Sequence, residues 1–67
     1  MPLNVEVEQE DDGRWLAEVP AVPGAIAYGA TRIGAIEKAQ ALALRALADQ
    51  LDNGEPAQTE DVFAVGP

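Results

Sequence analysis

The chain has 67 residues, of which 12 are acidic and 4 basic, giving a net charge of −8. Cysteine and histidine are both absent from the sequence, which excludes disulfide bridges, thiolate zinc sites and imidazole-based catalysis. The basic residues are spread singly along the chain, so we expect no direct nucleic-acid binding, which needs several phosphate contacts. No apolar run approaches the ~20 residues of a membrane span, and the first residues lack the pattern of a secretion signal. We therefore expect a cytoplasmic protein with no membrane contact, no cofactor and no metal.

The size predicts one domain over residues 1–67, with 48% hydrophobic residues available for a core. A domain this small buries only about 60% of the surface that its unfolded chain exposes, so its stability is marginal. A second copy of the chain would add buried surface. We therefore expect a dimer or higher oligomer.

The first half of the chain predicts a β-hairpin. Leu3, Val5 and Val7 alternate with polar residues, which is the period of a half-buried strand. The acidic stretch that follows ends at Gly13, which can take the positive φ of a turn. A second strand over residues 14–19 places Trp15, a predicted core residue, on one face with Ala17 and Val19, and Leu16 and Glu18 on the other.

A corner and a short third strand come next. Pro20 and Pro23 cannot donate to a sheet ladder, and Gly24 permits a reversal of the chain. These residues predict that the second strand stops at the prolines and that a third strand covers residues 25–28.

A helix is predicted over residues 32–51, with Thr31 as its N-cap and Asn53-Gly54 as its stop signal. The apolar arc of this helix spans roughly 200°, wider than the ~100° that packing on one sheet requires. The excess favours self-association; alternatively, the alanines occupy neutral positions because alanine is the best helix former. The central stripe comprises Ala35, Ile36, Ala39, Ala43, Ala46 and Leu47, with Leu42 on one flank and Ile33, Leu44 and Leu51 on the other.

Residues 61–65 have the composition of a last strand. The predicted fold is α+β with the order βββαβ: a three-stranded antiparallel sheet, one helix on one face, and a fourth strand. A right-handed crossover would lay the fourth strand parallel to the first, in the order 3-2-1-4.

The block over residues 19–31, with its Pro23-Gly24 corner and its Gly29-Ala30-Thr31 junction, resembles the HicB antitoxin family when it is taken together with Asp12-Gly13-Arg14-Trp15 upstream. The resemblance implies a truncated ribonuclease H-like fold. It also implies a function as an antitoxin that binds a basic, mRNA-cleaving HicA-type ribonuclease and occludes its active face. We expect a short form without the DNA-binding module that such antitoxins often add. Ala25 stands where many relatives have cysteine, and Ala30 where an acidic residue is common.

Candidate binding residues follow from the charge and the apolar pattern. For a basic partner they are Glu8, Glu10, Asp11, Asp12 and Tyr28; the alternative is that the acidic cluster is simply a solvated hairpin tip. For self-association they are Ala25, Ile26, Leu42, Leu44 and Leu51.

Two other functions are alternatives to this one. An orphan HicB-like scaffold, a homo-oligomer without a toxin, is the alternative to the antitoxin. A metal-dependent nuclease would need converging carboxylates, whereas Glu6, Glu8 and Glu18 are expected to face solvent. We therefore assign no catalytic residue and expect no enzyme.

Overall fold

The computed structural model of the chain describes residues 3–57, 59, 62, 63 and 66. Three strands precede one helix: β1 (Glu6–Gln9), β2 (Trp15–Glu18), β3 (Ile26–Gly29) and α1 (Arg32–Asp52). The strands form an antiparallel sheet in the order β1-β2-β3, and α1 packs on one of its faces. The predicted α+β class, with a three-stranded antiparallel sheet and one helix, is confirmed.

The register of the sheet follows the predicted alternation. Glu6 lies opposite Glu18, and Trp15 lies between Gln9 and Gly29. β1 begins later than the apolar pattern predicts, and the register explains why. Continuing the ladder toward Leu3 would bring the chain opposite Pro20, which has no N–H to donate.

Glycines with positive φ make the two chain reversals, as predicted: Gly13 at +92° and Gly24 at +87°. In the corner between β2 and β3, Val19, Val22 and Ala25 are linked by backbone hydrogen bonds of 2.9 to 3.1 Å and are all buried. The prediction that Ala25 contributes to an interface between copies is therefore wrong. Its side chain is part of the monomer's own core.

Both ends of α1 are capped by residues that the sequence indicates. The Thr31 hydroxyl accepts a hydrogen bond of 3.0 Å from the Gly34 N–H. At the other end Gly54 has φ +70°, and the N–H of Glu55 donates to the Gln50 carbonyl at 2.8 Å. This is a Schellman ending, in which a left-handed glycine closes the helix.

The core between α1 and the sheet is built mainly from small residues. Gly29 sits so close to the helix that a Cβ added there would lie 2.5 Å from the backbone nitrogen of Ala35. Trp15, a predicted core residue, packs against this core but is only partly buried. Gly29 itself is buried, and the buried hydrophobic residues are Ala17, Val19, Val22, Ala25, Ala35, Ala39, Ala43 and Leu47.

The helix lies mainly over β2 and β3 and contacts β1 least. It therefore leaves an apolar groove of about 470 Å³ between α1 and the segment that enters β1, lined by Leu3, Val5, Val19, Gln40, Ala43, Leu44 and Val62.

The predicted fourth strand falls largely outside the described residues. Only Val62 and Phe63 of residues 61–65 are described, and both donate their N–H to the Thr59 carbonyl, at 3.0 and 2.6 Å, in a turn. Among the residues that the structure describes, no helix is long and apolar enough to cross a membrane.

Candidate functional site

The candidate site is the face of the sheet that points away from α1, here called the outer face. Successive side chains of a strand point to opposite faces, so every second residue of each strand lies on this side. No described element packs against it. Its residues are Glu6 and Glu8 from β1, Leu16 and Glu18 from β2, and Ile26 and Tyr28 from β3.

Carboxylates face one another across the outer face. Glu6 and Glu18 are directly opposed on neighbouring strands, and Glu8 lies on the same face of β1. Like charges in this position destabilise a sheet. Among the described residues the one ion pair is between Arg14 and Asp12, so no described cation neutralises these three glutamates.

Apolar side chains complete the outer face beside the carboxylates. Ile26 and Tyr28 keep 47% and 45% of their surface exposed, and Leu16, opposite Tyr28 in the register, is half-buried. The outer face therefore offers both unpaired negative charge and uncovered apolar area, on strands that are joined by a hydrogen-bonded ladder.

The hairpin tip is organised around Arg14, which borders the outer face. The Arg14 side chain donates a hydrogen bond of 2.7 Å to one oxygen of Asp12, and its backbone N–H donates to the other at 3.0 Å. The guanidinium carbon lies 4.3 Å from the centroid of the Tyr28 ring, a cation–π contact. The backbone hydrogen bond from Arg14, followed by its side-chain hydrogen bond, lowers the pKa of Asp12.

The structure therefore separates the predicted partner-binding residues. Glu8 and Tyr28 lie on the outer face, and Asp12 is joined to Tyr28 through Arg14. The Asp12 carboxylate accepts hydrogen bonds from Arg14. Asp11, by contrast, is exposed and makes no side-chain hydrogen bond in the described structure. Glu10 is half-buried at the start of the turn.

Sequence reasoning missed the roles of Arg14 and Leu16. The signal for Arg14 was its place two residues after Asp12 in a tight turn, where the two side chains meet. The signal for Leu16 was its place on the same face as Glu18, opposite Trp15 and Ala17.

The predicted self-association residues are also distributed over different surfaces. Ile26 is on the outer face, while Leu42 is 37% exposed on the flank of α1 beside Ala27 and Arg45. Leu44 and Leu51, 58% and 53% exposed, share the opposite flank with Ile33, which is 67% exposed.

Within the described part of the chain, no group of three or more acidic side chains is placed to hold a metal ion. Comparison of the chain with protein-family models, with curated proteins and with solved structures finds no match.

Proposed function

We propose that this chain is a HicB-like binding protein that neutralises a basic, mRNA-cleaving ribonuclease of the HicA type by covering its active face. The observation that carries the proposal is the outer face, where Glu6 and Glu18 oppose each other with no described cation between them. We also propose that the chain acts by binding rather than by catalysis, in the cytoplasm, where such a ribonuclease meets mRNA.

The repulsion between carboxylates on the outer face favours the binding of a basic partner. Opposed glutamates repel each other and lower the stability of the free protein. A Lys or Arg side chain of the partner, placed between them, would attract both carboxylates and compensate this repulsion. Charges at the rim of such a contact chiefly raise the association rate. Leu16, Ile26 and Tyr28 would supply the apolar area that a lasting complex buries.

We extend the proposal to the remaining part of the fold. Residues 61–65 would form a fourth strand parallel to β1, giving the order 3-2-1-4 of a truncated ribonuclease H-like fold. Two observations support this: β1 has no neighbour on its other edge among the described strands, and Val62 lines the apolar groove beside that edge. The turn in which Val62 and Phe63 donate their N–H groups to the Thr59 carbonyl would have to open for this strand to form.

The test is co-expression with a small basic ribonuclease encoded beside the gene. We expect growth to be restored and the two proteins to purify together. Glu18→Lys should abolish rescue because it places a cation on the contact surface, yet it should leave the fold intact because it relieves the clash with Glu6. Glu37→Lys, an equal charge change on the exposed side of α1, is the matched control and should rescue fully. Equal rescue by both variants would contradict the assignment of the outer face, and growth arrest with the wild-type chain would contradict the function.

The second candidate function is a homo-oligomeric scaffold of HicB-like type without a toxin. The exposed leucines of α1 favour it. An oligomer with no neighbouring gene for a small basic protein, and no ribonuclease that it inhibits, would favour this alternative.

A further inference from the structure

The end of α1 carries the one place in the sequence where an asparagine is followed by a glycine, Asn53-Gly54. Asparagine is a thermolabile residue, because the backbone nitrogen that follows it can attack its side-chain carboxamide. Glycine has no Cβ to shield that nitrogen. The other asparagine, Asn4, precedes Val5, whose branched side chain crowds the corresponding nitrogen. The chain therefore contains one asparagine in a reactive sequence and one in an unreactive sequence.

The structure leaves the carboxamide of Asn53 free but engages the nitrogen that would attack it. Asn53 and Gly54 are both exposed, and the Asn53 carboxamide has no hydrogen-bond partner among the described residues. The Gly54 N–H donates to the Leu51 carbonyl at 3.2 Å. The next N–H, that of Glu55, donates to the Gln50 carbonyl at 2.8 Å.

The backbone conformation of Asn53 also holds the two reacting groups apart. Its ψ is 2°, so the Gly54 nitrogen eclipses the backbone nitrogen of Asn53. Ring closure requires the Gly54 nitrogen to eclipse Cβ instead, which lies a third of a turn away about the Cα–C bond. That rotation would swing Gly54 and Glu55 away from the helix and break both of their hydrogen bonds.

We infer that Asn53-Gly54 is a site of spontaneous deamidation and that the ending of α1 sets its rate. Helix ends open locally at a low cost in free energy. In the open state the Gly54 nitrogen loses its proton to solvent and bonds to Cγ of Asn53. The bond between Cγ and the side-chain nitrogen breaks, and that nitrogen takes up a proton and leaves as ammonia. Water then adds to either carbonyl of the succinimide ring, which opens to aspartate or isoaspartate.

The product would weaken the helix ending that delays its formation. A carboxylate at position 53 lies at the negative end of the helix dipole, next to Asp52 and one turn after Asp49, and the last turn contains no basic residue. In isoaspartate the main chain runs through Cβ and is one atom longer, which displaces the N–H groups that follow from their carbonyls. Ala57, just beyond this ending, packs against the core, so we expect the modification to loosen that contact as well.

The first experiment follows the mass of the tryptic peptide after Arg45 while the full chain is kept in mildly alkaline buffer, either folded or in guanidinium chloride. We expect the amide of Asn53 to be replaced by a carboxyl group in both samples, at least about 10-fold more slowly in the folded chain because the last turn must open first. Asn4 is the internal control and should remain unchanged. Equal rates in the two samples would show that the helix ending gives no protection, and an unreactive Asn53 in guanidinium chloride would exclude the site.

The second experiment loosens the helix ending without changing Asn53 or Gly54. Glu55→Pro removes the N–H that donates to Gln50, whereas Glu55→Ala removes the same carboxylate and keeps the N–H. We expect Asn53 to react about 5-fold faster in the folded proline variant, the effect of losing one hydrogen bond, and equally fast in both variants in guanidinium chloride. Circular dichroism checks that both keep the helix. Equal rates in the folded variants would contradict the inference, and a difference of the same size in guanidinium chloride would assign the effect to the proline itself.

The third experiment tests the consequence of the modification by hydrogen exchange at the Glu55 N–H. We expect several-fold faster exchange in Asn53→Asp than in the wild type, because the new charge opposes the helix dipole. Gln40→Glu makes the same change from an amide to a carboxylate in the middle of α1 and should leave the exchange of Glu55 unchanged. Unaltered exchange in Asn53→Asp would show that the product does not weaken the helix ending. All of these measurements use the chain by itself, so their results are independent of whether a ribonuclease partner exists.

Discussion

The two faces of the sheet are made from the same three strands but differ in composition and packing. The face toward α1 meets the helix through small residues: Ala17 is wholly buried, and Gly29 lies against Ala35 of the helix. The outer face carries opposed carboxylates beside exposed Ile26 and Tyr28. The comparison teaches that one face maintains the fold at short range, whereas the other accepts a cost in stability and keeps a charged surface available to a partner.

The largest effect is expected where the helix touches the sheet most closely. Gly29→Ala should destabilise the protein by about 3 kcal/mol, because the new Cβ would meet the backbone of Ala35, which cannot rotate away. Urea unfolding followed by the fluorescence of Trp15 measures the change. Gly66→Ala is the control, since a Cβ there has no neighbour within 4 Å. Equal stability of the two variants would mean that the close contact between Gly29 and α1 does not contribute to stability.

On the outer face the expected effect is smaller and has the opposite sign. Glu18→Gln should stabilise the free protein by about 0.5 kcal/mol, since it removes a like-charge pair across the strands. The gain should shrink at high salt, which screens exposed charges. Glu37→Gln removes the same charge from the exposed side of α1 and should change stability less. Destabilisation by Glu18→Gln would show that Glu18 has a favourable partner in the free chain.

The smallest effect is expected at the hairpin tip, in the acid range. The pKa of Asp12 is lowered in the folded protein by its hydrogen bonds from Arg14. Its contribution to stability is therefore present above the pKa of the unfolded chain, about 4, and is lost as the pH falls through the lower folded value. Asp12→Asn should show a shallower loss of stability between about pH 4 and 2 than the wild type, in urea titrations at fixed pH. Asp11→Asn makes the same change of charge one residue away and is the control. If stability fell equally gradually with pH in both variants, the effect would not be specific to Asp12.

The elements of the fold were predictable because each has a local signal. Gly13 and Gly24 are needed for positive φ, Thr31 for the helix cap, and the alternation of β2 separates Ala17 from Glu18. These signals act between residues close in sequence, and the structure confirms them.

What the sequence did not indicate depends on the position of one element over another. The offset of α1 toward β3 exposes the groove beside Leu3 and Val5, and no pattern in the helix itself encodes that offset. Ala25 was misassigned because it follows a corner, where strand alternation does not apply, and the corner turns it inward beside Val22. The site is predictable in part. The negative charge of the hairpin is evident from the sequence, but the ion pair between Asp12 and Arg14 depends on the three-dimensional shape of the turn.

The close contact between Gly29 and α1 also limits how this chain can diversify over evolutionary time. A methyl group added on that side has no room unless the helix moves, so substitutions there require simultaneous compensation elsewhere in the core. Residues 6, 8, 16, 18, 26 and 28 take no part in seating the helix. They can exchange one by one, so that lineages acquire new binding specificities while inheriting the same scaffold.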